Sequence, residues 1–113
     1  MLSRANRITL PSDFRLAVRR GRRYTAQHCI VHIVNNERST PARFGFIVSK
    51  AVGNAVVRNK VRRRLRAAAA QLLPRVPGGS DIVVRALADS AQAEWTTLQA
   101  EIAEGIDRIV VKA

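Results

Sequence analysis

Between Arg38 and Ser80 there is neither aspartate nor glutamate, although the same span holds ten lysines and arginines. Cysteine is nearly absent as well: Cys29 stands alone, which excludes an internal disulfide framework. No apolar run approaches the roughly 18 residues of a membrane span. The opening MLSRANRITLPSDF lacks the charged, apolar, then small order of a secretory signal, so a cytoplasmic location is expected. With only His28 and His32 beside Cys29, soft metal ligands are too few for a zinc set, despite the CxxH spacing. Cys29 reads as a buried core thiol. No Ser/His/Asp grouping stands out, so no protein active site is expected.

What the chain does have is charge of one sign in one place. A net +12 with pI near 11.7 points to a polyanionic partner, nucleic acid before an anionic membrane. Residues 81–113 carry three bases against six acids, so the cationic middle is followed by a mildly acidic end. A solubility device would intersperse both signs. This polarity instead implies a binding face and an ordinary outer face. At 113 residues and 47% apolar composition, one domain spanning residues 1–113 with a modest core is expected.

Pro11–Ser12–Asp13 opens a short helical pattern in which Phe14 and Val18 share a face, closing near Gly21. HCIVHIV, residues 28–34, alternates as a strand, with Cys29, Val31 and Ile33 on one face and His28, Ile30 and His32 on the other. RFGFIVS, residues 43–49, alternates likewise, and Arg22–Thr25 is a weaker edge piece. A helix is predicted from about Ala55 to Leu73, N-capped by Asn54 and stopped by Pro74. DIVVRAL, residues 81–87, is a further strand. From about Ser90, Trp95, Leu98, Ile102, Ile106 and Ile109 recur at helical spacing, with Phe44, Phe46 and Trp95 as core candidates. The order α-β-β-(β)-α-β-α implies an α+β sandwich of helices on a mixed sheet.

The central helix decides the chemistry. At about 100° per residue, Val57, Val61, Leu65, Ala68 and Leu72 fall within an arc of roughly 80°, the face to be buried. Arg58, Arg62 and Arg66 form a row on one flank, Asn59 and Arg63 lie opposite the core, and Lys60 and Arg64 occupy the other flank. Such a helix normally carries acidic partners four residues from its bases, each worth about 0.2–0.5 kcal/mol; here there are none. Arg58 and Lys60 also sit at the positive end of the helix dipole. Local stability is forgone, as expected if an external polyanion supplies the negative charge. Arginine outnumbers lysine five to one between residues 58 and 66, and its planar fork suits phosphate. Charge alone leaves RNA, DNA and a nuclear-localisation signal open.

FGFIVSKAVGNAVVRNKVRRRLRAAA, residues 44–69, resembles the signature of the bacterial ribonuclease P protein subunit. The match covers Val48-Ser49-Lys50, Gly53-Asn54-Ala55-Val56, Arg58-Asn59-Lys60, and Arg62, Arg63 and Arg66; Asn6–Phe14 resembles the family's opening. The resemblance implies an α-β-β-β-α-β-α sandwich like ribosomal protein S5 domain 2, with a left-handed crossover around the basic helix. It implies a subunit of an endoribonuclease whose RNA, with Mg²⁺, removes the 5′ leader of precursor tRNA. The protein itself would bind no cofactor. Its partners would be the catalytic RNA and precursor tRNA, with neither a membrane nor a small-molecule substrate.

By position, Ser49, Lys50, Asn54, Arg58, Asn59, Lys60, Arg62, Arg63 and Arg66 would contact the catalytic RNA. Phe14, Arg15, Val18 and His32 would line a leader-binding cleft between the first helix and the sheet. Val18 and His32 stand where many members have aromatics, and Ala51 replaces a frequent lysine. The cleft therefore has less stacking surface, a contribution of about 1–3 kcal/mol per base where present. Arg15 and Arg19 are placed to compensate. The alternative is a structured-RNA-binding or ribosomal-type protein without a role in tRNA maturation. A DNA-binding protein ranks third, because a helix basic on every free side suits irregular RNA better than one groove.

Overall fold

The computed structural model describes residues 2–36 and 39–110. Helix α1, Pro11–Arg20, leads into strands β1, Arg22–Thr25, β2, Cys29–Asn35, and β3, Arg43–Ile47. Helix α2, Ala55–Leu72, then carries the chain to β4, Ser80–Ala86, and α3, Trp95–Val110, closes it. The sheet order is β1-β2-β4-β3. β1 and β2 form an antiparallel hairpin, β4 runs antiparallel to β2, and β3 lies parallel to β4. A parallel neighbour cannot be reached by a tight turn, and α2 is the crossover that supplies the distance.

The alternation read from β2 holds: Cys29, Val31 and Ile33 enter the main core. There they meet Phe44, Ile82 and Val84 from the sheet, Val61, Leu65 and Leu72 from α2, and Leu98, Ile102 and Ile106 from α3. The opposite sheet face carries α1 over a smaller cluster of Ile8, Ala17 and Val83, with Phe14, Val18, Val34 and Ile47 at its margin. Central β4 is apolar on both faces at Ile82, Val83 and Val84, where both are covered, while Asp81 and exposed Arg85 flank Val83 on the α1 side.

Three expectations change. The closing helix begins at Trp95 instead of Ser90, since residues 88–92 form a 3₁₀ turn with Ser90 buried. Trp95 is 38% exposed and so is not a core residue. It shares the azimuth of Leu98 and Ile102, but at the first helical position it is not covered on all sides. Phe46 is half-buried, whereas Phe44 is 1% exposed, their rings stacked 6.3 Å apart. The basic helix ends at Leu72, and Pro74 lies in a following 3₁₀ turn, as its missing N–H requires.

Polar clips hold the layers in register. Arg43 donates from Nε to Asp81 Oδ1 at 2.9 Å and from Nη2 to Asp81 Oδ2 at 2.7 Å; the same Nη2 reaches Asp13 Oδ2 at 3.3 Å. Asn36 Nδ2 completes the group on Asp81 Oδ1 at 2.8 Å. Asp13 is in the first turn of α1, so this cluster anchors that helix to β3 and β4. On the other layer, Glu101 of α3 accepts from the His28 amide at 2.9 Å and the Cys29 thiol at 3.6 Å, and pairs with His28 Nδ1. Burial first, and Glu101 second, push the Cys29 thiol's pKa up, keeping it protonated and inert. Asp81 is 1% exposed, and removing one member of a buried pair strands the other's charge. Asp81→Ala is expected to cost about 3–5 kcal/mol of stability in urea unfolding.

Candidate nucleic-acid interface

Helix α2 begins where backbone geometry leaves little choice. Gly53 has φ of 154°, and a Cβ there would stand 2.8 Å from Val57. Asn54 follows as the N-cap, its Oδ1 accepting the Val57 amide at 3.0 Å. The turn before it is closed by Val52 N–H on Ser49 O at 3.1 Å and Gly53 N–H on Lys50 O at 3.2 Å. The side chains of Ser49 and Lys50 are left exposed there.

The helix buries Val61, Leu65, Ala68, Ala69 and Leu72. Asn59, Lys60, Arg63 and Arg66 are exposed, while Arg58 and Arg62 are half-buried. Among the described residues, no carboxylate forms an ion pair with any base of α2. Arg62 is oriented by Asn59 Oδ1 at 3.1 Å and leans towards Val48 O at 3.5 Å, while Arg66 Nε reaches Arg62 O at 3.4 Å. Arg64 differs in kind. Its Nη1 donates to Ala91 O at 3.0 Å and Ala93 O at 2.7 Å, tying α2 to the turn before α3. A charge run that looks uniform in sequence thus divides into exposed Lys60, Arg63 and Arg66, half-buried Arg58 and Arg62, and one structural arginine, Arg64.

The predicted cleft residues gather on the other face of the sheet. Phe14 and Val18 are half-buried on α1, and Phe14 lies over Gly45, where a Cβ would come within 2.5 Å of its ring. His32 is 4% exposed, so it forms floor and offers no ring for stacking. Arg15 lies on the exposed side of α1, close to Arg19. The strand register adds two residues that local sequence reading missed. Arg23 stands opposite His32, and Arg85 stands opposite Ile30, so both exposed arginines flank the open part of this face. Strand alternation would have found them once the pairing was known. Burial, with Arg23 and Arg85 after it, lowers the His32 pKa.

Basic helix and cleft are one surface. Over the β3 edge a hollow of about 210 Å³ is lined by Phe14 of α1, Gly45 and Phe46 of β3, and Arg62 and Arg66 of α2, with Arg7 and Ile8 beside them. Arg7 is a third missed residue. The bridge between Arg7 and Phe44, with Ile8 N–H on Phe44 O at 2.9 Å, brings it there, and no local pattern signals such a contact. Among the described residues, no three His, Cys, Asp or Glu side chains converge as a metal site would need.

The family model described as Ribonuclease P matches residues 2–110, almost the whole chain. The chain belongs to the ribonuclease P protein family. It is 50% identical over 110 residues to the ribonuclease P protein component of Clavibacter michiganensis, covering 97% of each chain. It is 46% identical to that of Nocardioides sp. over 114 residues, covering 99% of this chain and 94% of the relative. The Staphylococcus aureus RNase P protein structure superposes with a TM-score of 0.78 at 26% identity, covering 91% of this chain and 94% of that one. The family's sequence signature therefore sits on a β3–α2 junction that exposes its bases, and its fold is shared by solved members. No helix among the described residues is long and apolar enough to cross a membrane.

Two measurements check the geometry. A group whose folded pKa lies below its ordinary value of 6.5 binds fewer protons folded than unfolded, so its contribution is fully present above 6.5 and is lost as pH falls below it. His32→Phe should flatten the fall in stability as pH drops below 6.5 in urea unfolding. Gly45→Ala should push the Phe14 ring aside, seen as displaced Phe14 aromatic NMR signals, and cost about 1–3 kcal/mol.

Proposed function

We propose that this chain is the protein cofactor of a ribonuclease P holoenzyme, binding the catalytic RNA through α2 and the 5′ leader of precursor tRNA across the α1 cleft. The observation that carries the reading is the unpaired basic face of α2 running without interruption, through Arg62 and Arg66, into the hollow at Phe14. The RNA subunit, with Mg²⁺, would supply the phosphodiester hydrolysis. The protein's part is electrostatic and positional. Ser49, Lys50 and Asn54 at the start of α2, with Arg58, Asn59, Lys60, Arg62, Arg63 and Arg66 along it, would neutralise phosphates of the folded RNA. Phe14, Arg15 and Val18, over a floor containing His32, would hold the single-stranded leader, with Arg23 and Arg85 drawing its backbone onto the sheet. Helping to neutralise two RNA molecules brought close together reduces the demand for Mg²⁺.

Added to the RNA subunit of the same genome at low Mg²⁺, the protein should restore cleavage of precursor tRNA at the leader junction. Absence of stimulation would leave a structured-RNA-binding protein without this role. Arg62→Ala and Arg63→Ala should each weaken binding to the RNA subunit and reduce the slope of log affinity against log salt by about 0.7–0.9. Arg64→Ala should lower the melting temperature and leave that slope unchanged.

A further inference from the structure

We infer that a second hollow, on the outer side of α2, seats a single unstacked nucleobase of the RNA partner. Its floor is Leu2, Ala67 and Ala70, its rim is Arg7, Arg63 and Arg66, and it offers about 680 Å³ of open-sided space, room for one base and its adjoining backbone. The inference rests on the RNA-binding function proposed above and adds a base-binding subsite to it.

The alanine run of α2 acquires a use here. Ala68 and Ala69 are wholly buried under the helix, as packing against the core demands. Ala67 and Ala70 face the other way, one exposed and one half-buried, and alanine's helix propensity alone would account for them as isolated positions. Their setting distinguishes them. Leu2, brought back from the start of the sequence, joins the floor, and three arginines stand around it with no acid on the lining. Methyl groups offer a flat contact to one face of a base, and guanidinium planes can stack on it or hold the phosphates on either side. An extended strand of phosphates alone has no use for the apolar floor, and an uncharged apolar ligand has no use for the rim.

The position also fits a strand that continues from the site already described. Arg7 and Arg66 line both this hollow and the one that contains Phe14. They form a ridge between the two, so phosphates on the ridge would place a base on each side. One side offers an aromatic ring and the other a methyl floor.

Ala67→Leu and Ala70→Leu test the assignment, because each covers part of the methyl floor while preserving charge and helix propensity. Affinity for the RNA subunit should fall about tenfold with the salt slope unchanged and the melting temperature retained. If both leucine variants bind as tightly as the parent while Arg63→Ala weakens binding, the hollow is empty and the inference fails alone. If neither leucine nor arginine variants change binding, the RNA-binding function fails with it. A benzophenone amino acid replacing Gln71, on the edge of the hollow, gives a second reading that does not depend on the leucine variants folding. Photocrosslinking to one nucleotide of the RNA subunit supports the subsite; crosslinks spread along the strand overturn it.

Discussion

Helix α2 must bury a narrow apolar stripe while keeping its bases away from every carboxylate, and the arrangement of the molecule follows from that requirement. The acids that form ion pairs do so at other places. Asp13 and Asp81 hold Arg43, Glu101 holds His28, Asp107 pairs with Arg75 and Glu104 with Arg108. None reaches α2. The stripe from Val61 to Leu72 must therefore secure the helix by packing, with Arg64 adding a polar tie to uncharged carbonyls. Binding to carbonyls removes a guanidinium from solvent without introducing a negative charge that would weaken the field around its neighbours.

The opposite sheet face is built to a different standard. Its core is small, and α1 depends on the Arg43 cluster at its first turn as much as on Ala17 and Val83 beneath it. Such a cluster fixes position more than it adds stability, since desolvating the charges offsets most of their attraction. Fixed position is what the cleft needs. Phe14 can approach β3 this closely only because residue 45 has no side chain, so helix placement and one glycine together set how deep the aromatic ring sits.

The helices, the strands and the Asn54 cap were legible because each depends on residues near one another in sequence. Period-two alternation in β2 and the i, i+4 stripe of α2 are local signals, and a long family motif fixed the junction between β3 and α2. Trp95 misled because spacing reports azimuth and says nothing about where along its axis a helix leaves the packed layer. Arg7, Arg23 and Arg85 were invisible for another reason. Their places depend on strand register and on the N-terminal segment returning to β3, contacts between distant parts of the chain. Charge does not tell Arg64 from Arg63; azimuth and the family motif set Arg64 apart, and its bonds to the Ala91 and Ala93 carbonyls give it a structural role.

The sheet ends in two strands with open sides. At one, β1 begins with exposed Arg22 and Arg23; at the other, Arg7 and Ile8 cover part of β3 while Arg62 and Arg66 stand beside Phe46. An unprotected strand edge is a template for pairing with another copy of the chain, and like charge along it is a common defence. The arginines proposed to meet RNA would thus also guard the free protein against stacking edge to edge. Salt that screens those arginines weakens both roles together, so the unassembled chain is best protected under the conditions in which it binds most tightly.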